Sequence, residues 1–368
     1  MDRQAKAVVC REWGRPVQVE TITVEGPKRG EITIKIAACG VCHSDLSATT
    51  GKIQYPPPLV LGHEAAGVVV EVGEGVTEFK EGDHVVSSFI CMCGKCRQCV
   101  RGRPVLCENA RKAMFTLPDG TVRTKDANGE PLNVFGACGV MAEYATMHVD
   151  NCVKVDQSVP MQNAALVGCA VMTGVGAVFN TAKLEPGSRA AVFGIGGVGL
   201  NAIQGCATAG AEMIVAVDSN PKKLEMAREF GATHTVDINE VEDAAKAVKK
   251  LTGGVDYAFE CVGAGPVVEQ AYKSLGRGGT AVVVGVADPK DKTSITTLTL
   301  PADEKTLKGS WLGSARPQHD FPRILGLYKA GKLKLDELIT RTYPIEDAAQ
   351  AFDDMVAGKN ARGVIVFE

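Results

Sequence analysis

Ala190-Ala191-Val192-Phe193-Gly194-Ile195-Gly196-Gly197-Val198-Gly199 decides the fold of the second half of the chain. The first four residues are an apolar run, and residues 198–209 behind the glycines carry a helical pattern. Gly194, Gly196 and Gly199 fit G-x-G-x-x-G. The first permits a tight turn, the second lets the backbone approach a pyrophosphate, and the third lets the helix pack on the strand. Gly197 and Val198 complete the cradle. A helix starting there offers unpaired N–H groups and a positive dipole end to a phosphate. A second apolar run, 214–217, ends on Asp218, nineteen residues after Gly199. A carboxylate at that place can accept both ribose hydroxyls of an adenosine and repels a 2′-phosphate. NAD is therefore expected over NADP.

Working outward, the alternation continues. Residues 220–230 read as a helix, and Val255–Glu260 and 280–286 as strands. Strands alternating with helices predict a parallel sheet covered on both faces. The first 150 residues differ. Short β-prone runs such as 32–36, 67–72 and 84–87 sit between glycine turns, which predicts a barrel-like β domain. Residues 117–133, rich in Gly, Asp, Asn and Pro, read as a long surface loop. From Pro301 the strand–helix rhythm stops, and 363–367 reads as a last strand returning to the first domain. The expected division is 1–170 with 312–368 as one domain and 171–311 as the dinucleotide-binding domain.

The 368 residues carry a net charge of −3, with 45% hydrophobic and 23% charged side chains. That balance argues against nucleic acid or an anionic membrane as partner. No apolar run approaches membrane-spanning length, and no apolar stretch follows the first charged residues as it would in a secretory signal. Thirteen cysteines in such a chain read as metal ligands and reduced thiols, so a cytoplasmic location is expected.

Four of the thirteen, Cys93, Cys96, Cys99 and Cys107, are spaced C-x2-C-x2-C-x7-C. Short spacers let one loop deliver four soft donors to a tetrahedral zinc. Four thiolates leave no position for a substrate, so this lobe, about 91–107, is structural. Buried or disulfide-bonded cysteines are the plainer alternative, but Gly94, Lys95 and Arg97 interleaved among them do not suit a core. Cys91 is a rival ligand that would spoil the C-x2-C bite.

Three segments remain: Gly40-Val41-Cys42-His43-Ser44-Asp45, Gly62-His63-Glu64, and Gly168-Cys169 ahead of Thr173-Gly174. Singly, a Cys or His is more often a core or surface residue than a ligand. Together with the cysteine lobe and the glycine loop, these segments resemble the zinc-dependent medium-chain alcohol dehydrogenase family, in order from about Lys6 to Phe367. The resemblance implies a GroES-like β-barrel catalytic domain joined to a Rossmann domain, an α/β protein overall. It implies a second zinc held by Cys42, His63 and Cys169, with the fourth position left to substrate. Asp45 would orient the His63 ring, and Glu64 would sit behind the metal. Cys39 is a rival for Cys42 and fits a buried strand better. Ser44 matches the hydroxyl that relays the alcohol proton to the cofactor ribose. Many relatives end that relay on a histidine three residues later; here the position is Ser47.

By the same resemblance His43 and Arg362 face the pyrophosphate, Lys223 joins the cofactor contacts, and Thr173 and Val198 pack on the nicotinamide. The pocket is expected from Phe89, Leu106, Val286 and Trp311. The implied activity is NAD- and zinc-dependent alcohol oxidation or aldehyde reduction, with two zinc ions per chain. The nearest rival is a formaldehyde dehydrogenase that uses glutathione or another carrier thiol. Arg111 matches a basic residue of such enzymes, but their paired acids are replaced here by Thr50-Gly51-Lys52-Ile53-Gln54. A non-catalytic zinc and NAD sensor or scaffold is the alternative of another class. Relatives that keep a loop like 117–133 tend to be homodimers, and shorter ones tetramers, so a homodimer is expected.

Overall fold

The strand Arg189–Phe193 lies inside a six-stranded, wholly parallel sheet. A computed structural model describes all 368 residues. The sheet order is His234–Asp237, Met213–Asp218, Arg189–Phe193, Val255–Glu260, Leu275–Val283, Thr306–Gly309. Numbered within this sheet, that order is 3-2-1-4-5-6. The chain starts in the middle, runs to one edge, then crosses over and fills the other, leaving a crevice where the order reverses. Ala190, Ala191, Val192 and Phe193 are all buried, as a strand covered on both faces requires. Gly194 follows at once with φ +90°, and a Cβ on Gly199 would lie 1.9 Å from the Gly194 carbonyl oxygen. Only glycine fits both places. The helix Gly197–Ala209 then starts with its N-terminus at the reversal point.

This sheet belongs to a unit made of Ala170–Ala315 and Gly331–Lys334. The other unit comprises Met1–Cys169, Arg316–Ala330 and Leu335–Glu368. Its largest sheet is built on the strand Glu31–Gly40, which pairs antiparallel with Ala65–Val72, Tyr144–His148 and Arg362–Val366. The last strand of the chain thus lies beside one of the first. A second sheet, ordered Thr124–Lys125, Gln18–Val24, Arg3–Cys10, Leu59–Val60, Asn133–Val134, completes the barrel-like β domain. Ile32, Ile34, Ile36, Val69, Val85 and Met147 form part of its core. The helical stretch Met161–Ala182 is long and apolar enough to span a membrane by composition, but most of it is buried inside the protein.

Residues 117–133 are less loop-like than their composition suggests. Leu117 and Leu132 pack with Ala5, Val9 and Ile22 in a small core of their own. Arg123, only 1% exposed, bonds Glu31 at 2.5 Å and Asp119 at 2.7 Å. A buried charge is tolerated when paired, and this pair ties the excursion to the central strand. Composition could not reveal it, because the partner lies 92 residues away. Arg123→Ala leaves the Glu31 carboxylate buried and unpaired. It is expected to cost about 3–5 kcal/mol, read as a fall in the urea midpoint. The double variant Glu31→Gln/Arg123→Met should lose less.

Candidate active site and metal centres

Three elements bring the four donors together. Cys42 stands at the start of the helix His43–Thr49, and His63 and Glu64 precede the strand Ala65–Val72. Cys169 lies in the helical stretch after Met161. One ligand atom each from Cys42, His63, Glu64 and Cys169 falls within 4.8 Å of the others, and all four residues are buried. Asp45, wholly buried, explains the ring's orientation. Its Oδ1 accepts the Gly62 N–H at 2.9 Å, and its two oxygens lie 3.3 and 3.2 Å from His63 Nδ1. The Nδ1–H then points at Asp45, and Nε2 is left buried without a hydrogen-bond partner. A buried lone pair among two thiols fits a metal donor.

Without a cation, the negative groups of the cluster favour protons in its place, which a metal would displace. Burial works against a charged His63 ring, but the Asp45 carboxylate outweighs it and holds the pKa well above its ordinary value. Hydrogen bonding with Cys169 pulls Cys42 well below the usual thiol range, while the same contact and burial push Cys169 well above. Glu64 is more than a background charge: it also pairs with the buried Arg362 guanidinium. Arg362 itself is only 6% exposed. Phe135 lies against the His63 ring at 4.7 Å, and Phe89 meets it edge-on at 5.4 Å. Tyr55 stacks on Phe135 at 4.3 Å. Phe135 and Tyr55 were missed in the sequence, where nothing separates them from other core aromatics.

Of the remaining expected residues, Ser44 Oγ is 3.7 Å from Cys42 Sγ. Ser47 follows three residues on, hence on the same helix face. His43 is exposed, and Leu106 half-buried. In the other unit Val286 and Trp311 are exposed, while Thr173, Val198 and Lys223 are half-buried. Asp218 closes the strand Met213–Asp218. Its carboxylate accepts the N–H of Ile195 at 2.7 Å and of Asn220 at 2.9 Å. It therefore stands directly over the glycine loop. A Cβ on Gly196 would meet nothing within 4 Å, so the loop presents open backbone there. That is the space a pyrophosphate needs.

The cysteine lobe is equally explicit. All thirteen cysteines are free thiols. Cys93 and Cys107 sulfurs are 3.6 Å apart, and those of Cys96 and Cys107 3.9 Å. A tetrahedron with Zn–S bonds of about 2.3 Å has S···S edges of about 3.8 Å, so the spacing is that of a metal site. The Cys93 N–H points at Cys107 Sγ and the Cys96 N–H at Cys93 Sγ. Backbone N–H groups hold the Cys96 thiol down to about 6. Cys91 stands outside this group.

Comparison with known proteins agrees with this geometry. Residues 28–157 match the alcohol dehydrogenase GroES-like domain, and 197–330 the zinc-binding dehydrogenase family. A putative alcohol dehydrogenase D of Mycobacterium tuberculosis is 44% identical over 98% of this chain and 99% of its own length. The chain belongs to the zinc-dependent medium-chain alcohol dehydrogenases. An NDMA-dependent alcohol dehydrogenase of Amycolatopsis methanolica is 41% identical over 99% of both chains. The crystal structure of an alcohol dehydrogenase zinc-binding domain protein from Burkholderia ambifaria superposes with a TM-score of 0.96, at 35% identity and full coverage of both chains. The family's structural zinc falls on Cys93, Cys96, Cys99 and Cys107, its catalytic zinc on the Cys42, His63, Glu64 and Cys169 group, and its cofactor is a nicotinamide nucleotide.

The two sites predict opposite lesions. Cys99→Ala should lower thermal stability, because it breaks a closed site that holds the lobe together. Cys169→Ala should abolish turnover and leave most of the fold. Metal analysis and thermal melts of the two variants check this, with two firmly held zinc ions per chain expected in the active parent.

Proposed function

We propose that the chain oxidises small or medium alcohols with NAD and reduces the corresponding aldehydes. One observation carries this reading: a buried donor set of two thiols and one imidazole, with the fourth group, Glu64, already engaged by Arg362, walled by Phe89 and Phe135 and with the Ser44 hydroxyl beside it. Two apolar rings favour an uncharged substrate with an apolar body. When bound, zinc supplies Lewis acidity and the nicotinamide accepts or returns a hydride. The chain's own residues do the rest. Asp45 fixes the His63 ring, and the aromatic wall keeps water from the reacting centre. Ser44 takes the alcohol proton and passes it outward, Ser47 being the next hydroxyl on that helix face. On the cofactor side, Gly196 and the helix start hold the pyrophosphate, with Lys223, Thr173 and Val198 as further contacts on the same unit; His43 and Arg362 are the cofactor contacts proposed on the other unit. Asp218 has lone pairs left for the ribose hydroxyls, which is the ground for NAD over NADP. Leu106 on one unit, and Val286 and Trp311 on the other, are proposed as substrate-facing residues.

Use of a glutathione adduct is the rival. Arg111 is exposed and could meet an acidic tail. No carboxylate stands at residues 50–54 to hold an ammonium, so the plain alcohol is favoured. Formaldehyde oxidation that requires added thiol would reverse that choice. A sensor without turnover would not need the intact donors and Ser44. We place the enzyme in the reducing cytoplasm, since none of thirteen cysteines is paired. The assembly proposed is a homodimer, to be measured by light scattering.

The deciding assay is a panel of alcohols and aldehydes with NAD and NADP, followed by reduced-cofactor absorbance. NAD should be preferred, and Asp218→Gly should narrow the preference. Ser44→Ala should lose about 10²–10⁴ in kcat with zinc and NAD still bound, the usual worth of an acid–base group. Ser47→His adds a group titrating near neutrality, able to accept the proton at lower pH. The alkaline rise of kcat for oxidation should therefore move to lower pH.

A further inference from the structure

Cys91, His148 and Asp150 form a third convergence of metal-ligating side chains, and nothing above uses it. One ligand atom from each lies within 4.8 Å of the other two. We infer that these three residues bind a third zinc ion, exchangeable and open to solvent at its fourth position.

The site is assembled before any cation arrives. Cys91 is the middle residue of the short segment Ile90-Cys91-Met92 between Phe89 and the first lobe cysteine. His148 closes the strand Tyr144–His148, and Asp150 lies in the turn Val149–Asn151. Two hydrogen bonds clamp these segments together. The Ser88 N–H donates to the Asn151 carbonyl at 2.7 Å, and Asn151 Nδ2 donates to the Ser88 carbonyl at 2.7 Å. Within the turn, the Asp150 N–H donates to His148 Nδ1 at 3.2 Å, and Asp150 Oδ2 stands 3.4 Å from the same nitrogen. Donors around a tetrahedral zinc are about 3.3–3.8 Å apart, so Asp150 Oδ2 and His148 Nδ1 are spaced as two ligands would be, and the ion would take the Nδ1 lone pair from the Asp150 N–H. Little order remains to be imposed, which is what makes a preassembled site bind.

Donor chemistry chooses the ion. A thiolate, an imidazole and a carboxylate suit a borderline-soft divalent metal, and the sulfur disfavours magnesium and calcium. Glu78 adds negative charge felt by both His148 and Asp150, while Lys95 opposes it at Asp150. Burial shows the way in. Cys91 is 7% exposed, whereas the side chains of His148 and Asp150 are 29% and 42% exposed. The ion would rest on an inward sulfur and be reached from the imidazole and carboxylate side. Three donors with two facing solvent hold an ion more weakly than four thiolates do. Hence this zinc should exchange where the other two do not.

The test starts from the full chain dialysed to its two firmly held zinc ions. Zinc added in a calorimeter should give one further equivalent. His148→Gln and Asp150→Asn, both away from the lobe cysteines, should keep the first two ions and lose this one. Cobalt(II) added to the two-zinc protein should give a near-ultraviolet thiolate-to-cobalt band, and Cys91→Ser should lack it. The inference fails if the parent binds no third equivalent, if both variants still bind it, or if cobalt binds without the band. It also fails if Cys91→Ser releases the lobe zinc, which would make Cys91 a ligand of that site.

Discussion

The buried pair of Glu64 and Arg362 is the contact on which the catalytic centre depends. Glu64 is wholly buried and sits among the metal donors, while Arg362 opens the last strand of the chain. Separately, each would be a charge stranded in low dielectric; together they are nearly neutral. Burial alone would lower the pKa of Arg362, but the negative charges of Glu64, Cys42 and Cys169 together more than offset it. Their proximity shapes the neighbouring strand as well. A Cβ on Gly40 would come within 2.7 Å of the Glu64 carboxyl carbon and 3.0 Å of an Arg362 nitrogen. The backbone must therefore pass there without a side chain, and that path leads straight to Cys42.

The two family zinc sites are held by different means. In the lobe, backbone N–H groups of neighbouring residues point at the sulfurs, and fifteen residues supply all the donors. In the catalytic site, side chains hold side chains: Asp45 fixes His63, and Arg362 holds Glu64. The first can close locally. The second exists only when residues from 42 to 362 have come together. A lobe that closes locally brings stability of its own. A site that closes last has its donors set by the finished fold, which is what an open coordination position requires.

Legibility followed the same division. The glycine loop, the strands around it and the cysteine lobe were readable because their chemistry is local: adjacent residues share one turn. The strand ends shifted by a few residues, as at Leu275–Val283 against the expected 280–286, since sheet pairing rather than propensity sets them. Arg123 with Glu31, Glu64 with Arg362, and Cys91 with His148 were not readable. Their partners lie 92, 298 and 57 residues apart, and no period or spacing connects them. Residues 117–133 misled for a related reason. Turn-forming residues describe a backbone that bends, and they say nothing about one arginine inside it that reaches the core.

Asp218 shows why local motifs read so well. The acid that would select the ribose also closes the loop, accepting the Ile195 and Asn220 N–H groups. A carboxylate has lone pairs enough for both tasks. Loop geometry and ribose recognition are thus one constraint acting on one residue. Removing the charge frees two backbone N–H groups at the mouth of the pyrophosphate cradle. A change of cofactor preference there cannot leave affinity untouched, and a useful replacement must restore those two acceptors as well as the space.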